Sequence, residues 1–543
     1  MKNLIPAITA LLASVALGAQ NLNPTVTVTN DYEARAAAVD KKGVDLEIPD
    51  TLMRFDYKFD YSVFDSPYKG AYEFSPYSVK MIPSPEPYQG GKLYLRAGAG
   101  YTMRPELDVV WAPVVSDNFA MSVFGTADGY LGPYKLSATD PTLFDATDKW
   151  LHNFSDNAGV DLHWNLSGSN LTVEIAHDGI FADTRDAAST AYNSAYVRAN
   201  LKSNASSGTY FVYDLNLKYR FGHDGFGNAS GCNSMTEHNI LASGSVGSVV
   251  HTDYRFMMDF EVEADSFAGD CSGTLMRVGA TPHILFTLGP VALSAGVELG
   301  YSDAFRIYPD IKAEYTFMDG LMTAYGDFVG GERINSWHSS KVFMHRLISN
   351  SVSGDAVTFG RDLYDARLGL RGYYNYLQYD ISAGFGKVEN LASENLVSSL
   401  YGASEQLVWA DARVLHADAS VSWKNRDFEA DANIRLCHDM AVEPCAAYAR
   451  PLVSADARFV YNWSRRIYAG LWLAGRTERA SMYSSNQPSI PGWFDLGLYG
   501  KYRLSHKWSV WAQAGNILGS DIRESIGYVR QGPYFTVGIG LNL

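Results

Sequence analysis

The closing stretch GPYFTVGIGLNL (Gly532–Leu543) decides the fold. Phe535, Val537, Ile539, Leu541 and Leu543 share one parity; Tyr534, Thr536, Gly538, Gly540 and Asn542 share the other. Side chains alternate between the two faces of a strand, so this is a strand with one apolar face. It runs to the last residue, and a strand there needs a partner for its open edge. The expected partner is LYLRAGAGY (Leu93–Tyr101), which would close a sheet on itself.

Working back along the chain, the same alternation recurs. In VALSAGVELGY the residues Val291, Leu293, Ala295, Val297, Leu299 and Tyr301 oppose a face that carries Glu298. In YRFMMDFEVEAD an apolar Tyr254, Phe256, Met258, Phe260 and Val262 back onto Arg255, Asp259, Glu261 and Glu263. FEADANIRL sets Phe428, Ile434 and Leu436 against Asp431 and Arg435, and SADARFVYNW sets Phe459, Tyr461 and Trp463 against Asp456 and Arg458. Acids and bases mixed with glycine on one face suit a wet lumen, and an unbroken apolar face suits lipid. Tight links, such as Gly289-Pro290 and Arg465-Arg466, alternate with long ones, such as Gly330–Val357, Val388–Glu405 and His438–Ala447. This is the pattern of an all-β transmembrane antiparallel up-and-down β-barrel. Counting from Leu93 gives roughly 22 strands, each near the 9–11 residues of a tilted spanning strand. Trp164, Tyr315, Phe317, Trp423, Trp463, Tyr502 and Trp508 fall at the tight-turn ends of the apolar faces, as an interfacial girdle would.

Composition agrees. Hydrophobic residues make up 47% and charged residues 19%, yet the mean hydropathy is only −0.13, so apolar residues are plentiful but dispersed. The formal net charge of −15 argues against nucleic acid as a partner. MKNLIPAITALLASVALGAQ opens with Lys2, an apolar run and small residues, which predicts a signal peptide over residues 1–19. Residues 20–91 form a short N-terminal extension, polar at first and then rich in Phe, Tyr and Pro, expected to be periplasmic or to fill the lumen. Residues 92–543 form the barrel.

The ending, AGNILGSD (Ala514–Asp521) followed by GYVRQGPYFTVGIGLNL, resembles a TonB-dependent receptor barrel. Such barrels close with an Asn-Leu-type motif, a loop and a Gly-rich terminal strand. The resemblance implies 22 strands, residence in the outer membrane, and transport or binding at the cell surface. TVTVTN (Thr25–Asn30) is similar to the short segment by which such receptors engage TonB. Two departures stand out: Leu543 replaces the usual terminal Phe, and a plug of well over a hundred residues is absent or much reduced. A transport receptor, a passive porin-type channel and a structural subunit beside a surface lipoprotein or other outer-membrane proteins are the competing readings.

Chemistry-bearing groups are few. Cys232, Cys271, Cys437 and Cys445 all fall in expected outside loops, where export permits disulfides; Cys437 with Cys445 is the expected pair, and free thiols are the alternative. The charges named above are expected either to pair across strands or to guide a solute. His416 beside Asp418 is a weak catalytic signal, and no enzyme activity is expected. No metal-ligand spacing, P-loop or dinucleotide motif is present, so no cofactor is expected. KVFMHRLIS (Lys341–Ser349) and LASENLVSSLYG (Leu391–Gly402) allow short helices that could cap the barrel or touch a partner.

Overall fold

The computed structural model describes residues 92–543 except 137–148, 185–188, 205–210, 228–231, 250–253, 400–401, 443–445 and 483–488. The wall opens with β1 (Leu93–Tyr101), β2 (Glu106–Val115), β3 (Phe119–Leu136), β4 (Lys149–Asn165), β5 (Ser169–Asp183), β6 (Ser189–Ser203) and β7 (Phe211–Gly227). It continues through β8 (Met235–Val249), β9 (Tyr254–Ala268), β10 (Gly273–Leu288), β11 (Val291–Tyr301), β12 (Phe305–Phe317), β13 (Met322–Asn335) and β14 (Thr358–Tyr374). Then come β15 (Leu377–Ser399), β16 (Gly402–Lys424), β17 (Phe428–Ala441), β18 (Val453–Trp463), β19 (Ile467–Arg476), β20 (Trp493–Arg503) and β21 (Trp508–Gly515). A small hairpin of β22 (Ile522–Arg523) and β23 (Tyr528–Arg530) leans on β3, and β24 (Tyr534–Asn542) completes the wall.

Each wall strand pairs antiparallel with its chain neighbours, and β24 pairs with both β21 and β1. Leaving out the β22–β23 hairpin, the closed ring has 22 strands. At the seam Leu95 faces Leu541, Ala97 faces Ile539, Ala99 faces Val537 and Tyr101 faces Phe535. Leu93 N–H donates to the Leu543 carbonyl at 3.0 Å, and Leu543 N–H donates back at 2.8 Å. The parity read from the closing stretch holds: Phe535, Val537 and Ile539 are exposed outward, and Tyr534, Thr536 and Gly540 are covered inside. Gly538 has a physical reason. A Cβ there would stand 2.4 Å from the Trp511 ring and 2.3 Å from the Ala97 carbonyl.

Outward positions elsewhere are large and apolar, including Ile175, Val197, Leu217, Ile240, Val297, Ile311, Leu368 and Ile434. Tyr315, Trp463, Tyr502 and Trp508 are exposed near the tight turns. An apolar outer band with no open edge is the architecture of an integral outer-membrane protein, because lipid offers backbone groups no partners.

Two expectations are corrected. Wall strands run from 8 residues (β21) to 23 (β15 and β16) rather than near 9–11. And the described residues of Leu391–Gly402 hold no helix: the expected loop Val388–Glu405 is the top of the β15–β16 hairpin, paired from Leu391↔Ala410 to Ser399↔Gly402. Both faces of that hairpin are claimed. Ala392, Leu407 and Trp409 pack on one apolar cluster, and Val408 and Ala410 pack on Ala447 and Met482.

Candidate functional site

Residues 336–357, between β13 and β14, fold over the outer mouth. Ser336 starts the helix α1 (Trp337–Phe343): its hydroxyl accepts the Ser339 N–H at 3.1 Å, an N-cap that satisfies one unpaired donor. The Glu237 carboxylate of β8 accepts the Trp337 N–H at 2.5 Å and the His338 N–H at 3.1 Å. Trp337 is 1% exposed. Its indole N–H donates to Asp224 of β7 at 3.1 Å.

Lys341 is the anchor. Its Nζ lies 3.3 Å from Asp224 Oδ2, and neither side chain is solvent-accessible. It also donates to Thr190 of β6 at 2.6 Å and to the segment's own carbonyls at His345 (2.9 Å) and Leu347 (3.0 Å). One ammonium thus ties the wall to the segment's backbone. Burial lowers the Lys341 pKa to about 8, with Asp224 opposing the shift. Burial, reinforced by Arg220, lowers that of His338 to about 3. A neutral His338 accepts the Arg220 guanidinium at 2.7 Å.

Two further anchors follow. Arg346 donates to Glu524 at 3.2 Å and to the Asp183 carbonyl at 3.0 Å, and stacks on Tyr134 and Tyr528 at 4.7 and 4.4 Å. Val352 bridges to Leu407 of β16, and Ser353 N–H donates to the Leu407 carbonyl at 2.8 Å. One apolar cluster joins Trp337, Met344 and Leu347 to Ile180 on β5, Tyr192 on β6, Met235 on β8 and Leu407 on β16. β5 and β16 stand half a turn apart in the ring, so a segment packed on both crosses the mouth. It is a cap.

The charges expected to line the lumen all sit on the inward parity. Arg277, which the sequence reading missed, contacts Glu261 and lies 3.5 Å from Glu263. Asp259 stands 3.6 Å from His283, and Glu298 lies in the field of Arg277, Glu261 and Glu332. Arg435 meets Asp418 at 2.7 Å, Asp456 meets Arg476 at 3.0 Å, and Asp431 accepts the Ser422 hydroxyl at 2.7 Å. Arg255 stands at the tight-turn end of β9, and Arg458 lines a concavity. His416 lies 2.8 Å from Asp365, a partner not foreseen, and 3.7 Å from Asp418.

The cysteines are placed differently from one another. Cys232 and Cys271 are half-buried free thiols in outer connections, and Cys271 touches the cap's cluster. Cys437 is not in a loop. It is buried on the inner face of β17, because alternation continues through Cys437 and Asp439 to Ala441. Its thiol is free and donates to Asp439 at 3.4 Å. Cys445 lies outside the described residues, as do Thr25–Asn30 and the whole of 20–91. Sequence reasoning missed Asp224, Glu237, Lys341 and Arg346. The available signal was two basic residues, Lys341 and Arg346, inside an otherwise apolar loop segment.

No protein-family model and no curated protein matches the sequence. Solved structures do match by fold. The copper transporter OprC aligns with a TM-score of 0.61 at 12% identity, covering 84% of this chain and 83% of that one. The apoprotein form of the FrpB iron transporter from Neisseria meningitidis (F5-1 variant) aligns at 0.65 and 8%, covering 84% and 81%. The siderophore receptor PirA from Acinetobacter baumannii aligns at 0.60 and 10%, covering 83% and 80%. These neighbours are transporters and receptors, and at such identities the likeness is one of fold. The likeness of fold covers 83–84% of the chain.

Proposed function

We propose that this chain is an outer-membrane transport receptor, without enzymatic activity, whose outer mouth is held shut by its own cap. The observation that carries the reading is the path of residues 336–357 across the mouth, with Lys341 and Asp224 fully buried beneath it. A passive porin keeps a water-filled channel; a segment fixed to opposite walls works against that. The cap must be displaced for a solute to enter, so entry is gated. Energisation through TonB belongs to this proposal on the strength of the resemblance; a surface lipoprotein or another outer-membrane protein as partner belongs to the structural-subunit reading.

The test is conductance in planar bilayers. The full chain is compared with a variant in which residues 337–356 are replaced by a short Gly/Ser linker. The expected result is little conductance for the intact protein and a large pore without the cap. If the intact protein conducts like an open porin and the replacement changes nothing, the passive-channel reading takes its place.

A further inference from the structure

Away from the cap, the inner wall near the tight-turn rim carries a different device. Across most of the lumen, acids and bases neutralise each other strand by strand: Arg367 with Asp327 at 2.6 Å, Arg371 with Glu314 at 2.7 Å, Arg435 with Asp418 at 2.7 Å. On β18 it holds for Asp456, which meets Arg476 at 3.0 Å, and stops nearer the tight turns of β18 and β20. Arg458, Lys501 and Arg503 face one concavity of about 530 Å³, joined by Arg96 from β1 and by Lys507 from the turn after β20. Among the described residues the side chains of Arg458, Lys501 and Arg503 close no ion pair or hydrogen bond. Only Arg96 is offset, by Glu106 and Asp108, each at 3.1 Å.

Aromatic rings lie against the cations. Arg96 lies over Trp511 at 3.9 Å, and Arg503 and Lys501 lie over Tyr468 at 5.2 and 6.0 Å. Trp472 covers Gly497 so closely that a Cβ there would stand 2.0 Å from its ring. Glycine at that position lets the ring lie across the neighbouring strand. Cations facing one half-open concavity repel one another, and an anion offsets that repulsion through charge-assisted hydrogen bonds. The excess is local, set in a chain whose formal net charge is −15. Its size lies within the range of sites for small organic ligands, roughly 300–1,000 Å³.

We propose that this wall is a binding site for a small oligoanion bearing phosphate or carboxylate groups, with Arg458, Lys501 and Arg503 as its charge-recognising residues. The site is separate from the cap and stands whether or not the cap gates transport.

Titration calorimetry on the full-length protein in detergent, at physiological ionic strength, tests this with two probes. Tripolyphosphate represents the phosphate class and citrate the carboxylate class. At least one is expected to bind at a single site, and the stronger arm identifies the class. Lys501→Gln/Arg503→Gln and, separately, Arg458→Gln should each weaken that binding at least tenfold, while Arg435→Gln on another stretch of wall should leave it within twofold. Arg458 is exposed and unpaired, so its replacement keeps the test intact if the double variant fails to fold. Absence of binding by both probes overturns the proposal, and so does equal weakening by Arg435→Gln, which would mean general charge attraction.

Discussion

At the scale of single residues, the cap is sensitive to protons. In the closed form His338 is held neutral down to about pH 3, whereas a released imidazole takes a proton at about 6.5. Between those values the open form binds more protons, so the closed form loses stability as pH falls. Protonation would also remove the acceptor for Arg220 and set two cations together, with Lys218 adding to the repulsion and Asp178 opposing it. Glu237 acts in the opposite sense, because burial and the neighbouring Asp265 raise its pKa to about 8 in the closed form. The His338 contribution is therefore read as a difference: between about pH 6.5 and 4, the conductance of His338→Gln is expected to rise less, or fall more, than that of the intact protein. A response unchanged in His338→Gln would remove this residue from the account. None of this could be read along the chain. Lys341 stood in a segment recognised as able to form a helix, Lys341–Ser349, and His338 lay just before it, in the helix Trp337–Phe343 that forms instead; Asp224 and Arg220 come from a strand more than a hundred residues earlier. Only ring closure brings them together.

At the scale of elements, period-2 patterning carried most of the information, because each wall strand has lipid on one side and water or the cap on the other. Val297 on β11 is 43% exposed on the outer face, and its neighbour Glu298 points inward. Val297→Arg should cost about 2–4 kcal/mol near the bilayer midplane, whereas Glu298→Gln should be mild. Urea titration of folded protein in lipid vesicles would show it, and equal effects at the two positions would contradict the assigned faces. The pattern misled where a strand left the membrane. Ser393 and Asn395 are buried polar residues on the β15–β16 hairpin, and with no lipid there to impose an apolar face, the alternation that marks a strand fades. Cys437 was misplaced for the same reason: beyond the apolar band, His438 occupies an outward position that lower down would hold a hydrophobe.

At the scale of the molecule, closure depends on β24. It supplies a partner to β21 on one side and to β1 on the other. Deleting residues 534–543 would leave two open edges, which lipid does not tolerate. The truncated chain is expected to lose the heat-modifiable mobility of a folded barrel on cold SDS gels and to leave the carbonate-resistant membrane fraction. Retention of both properties would mean that the ring can close without its last strand. The barrel, its closing strand and the family likeness were legible because lipid imposes one rule on every strand. The cap's seating was not, because it depends on which walls face each other.

The seam between β1 and β24 also sets an order in time. Every other pair of neighbouring wall strands lies close along the chain and can form as soon as both are made, but these two are separated by roughly 450 residues. The entropic cost of bringing them together grows only slowly with that distance, by about 0.6 kcal/mol per doubling. The delay is the greater burden. Until the end of the chain arrives, β1 waits with a row of unpaired backbone groups, a template for any passing strand. β24 is therefore the strand whose docking covers that edge and ends the exposure.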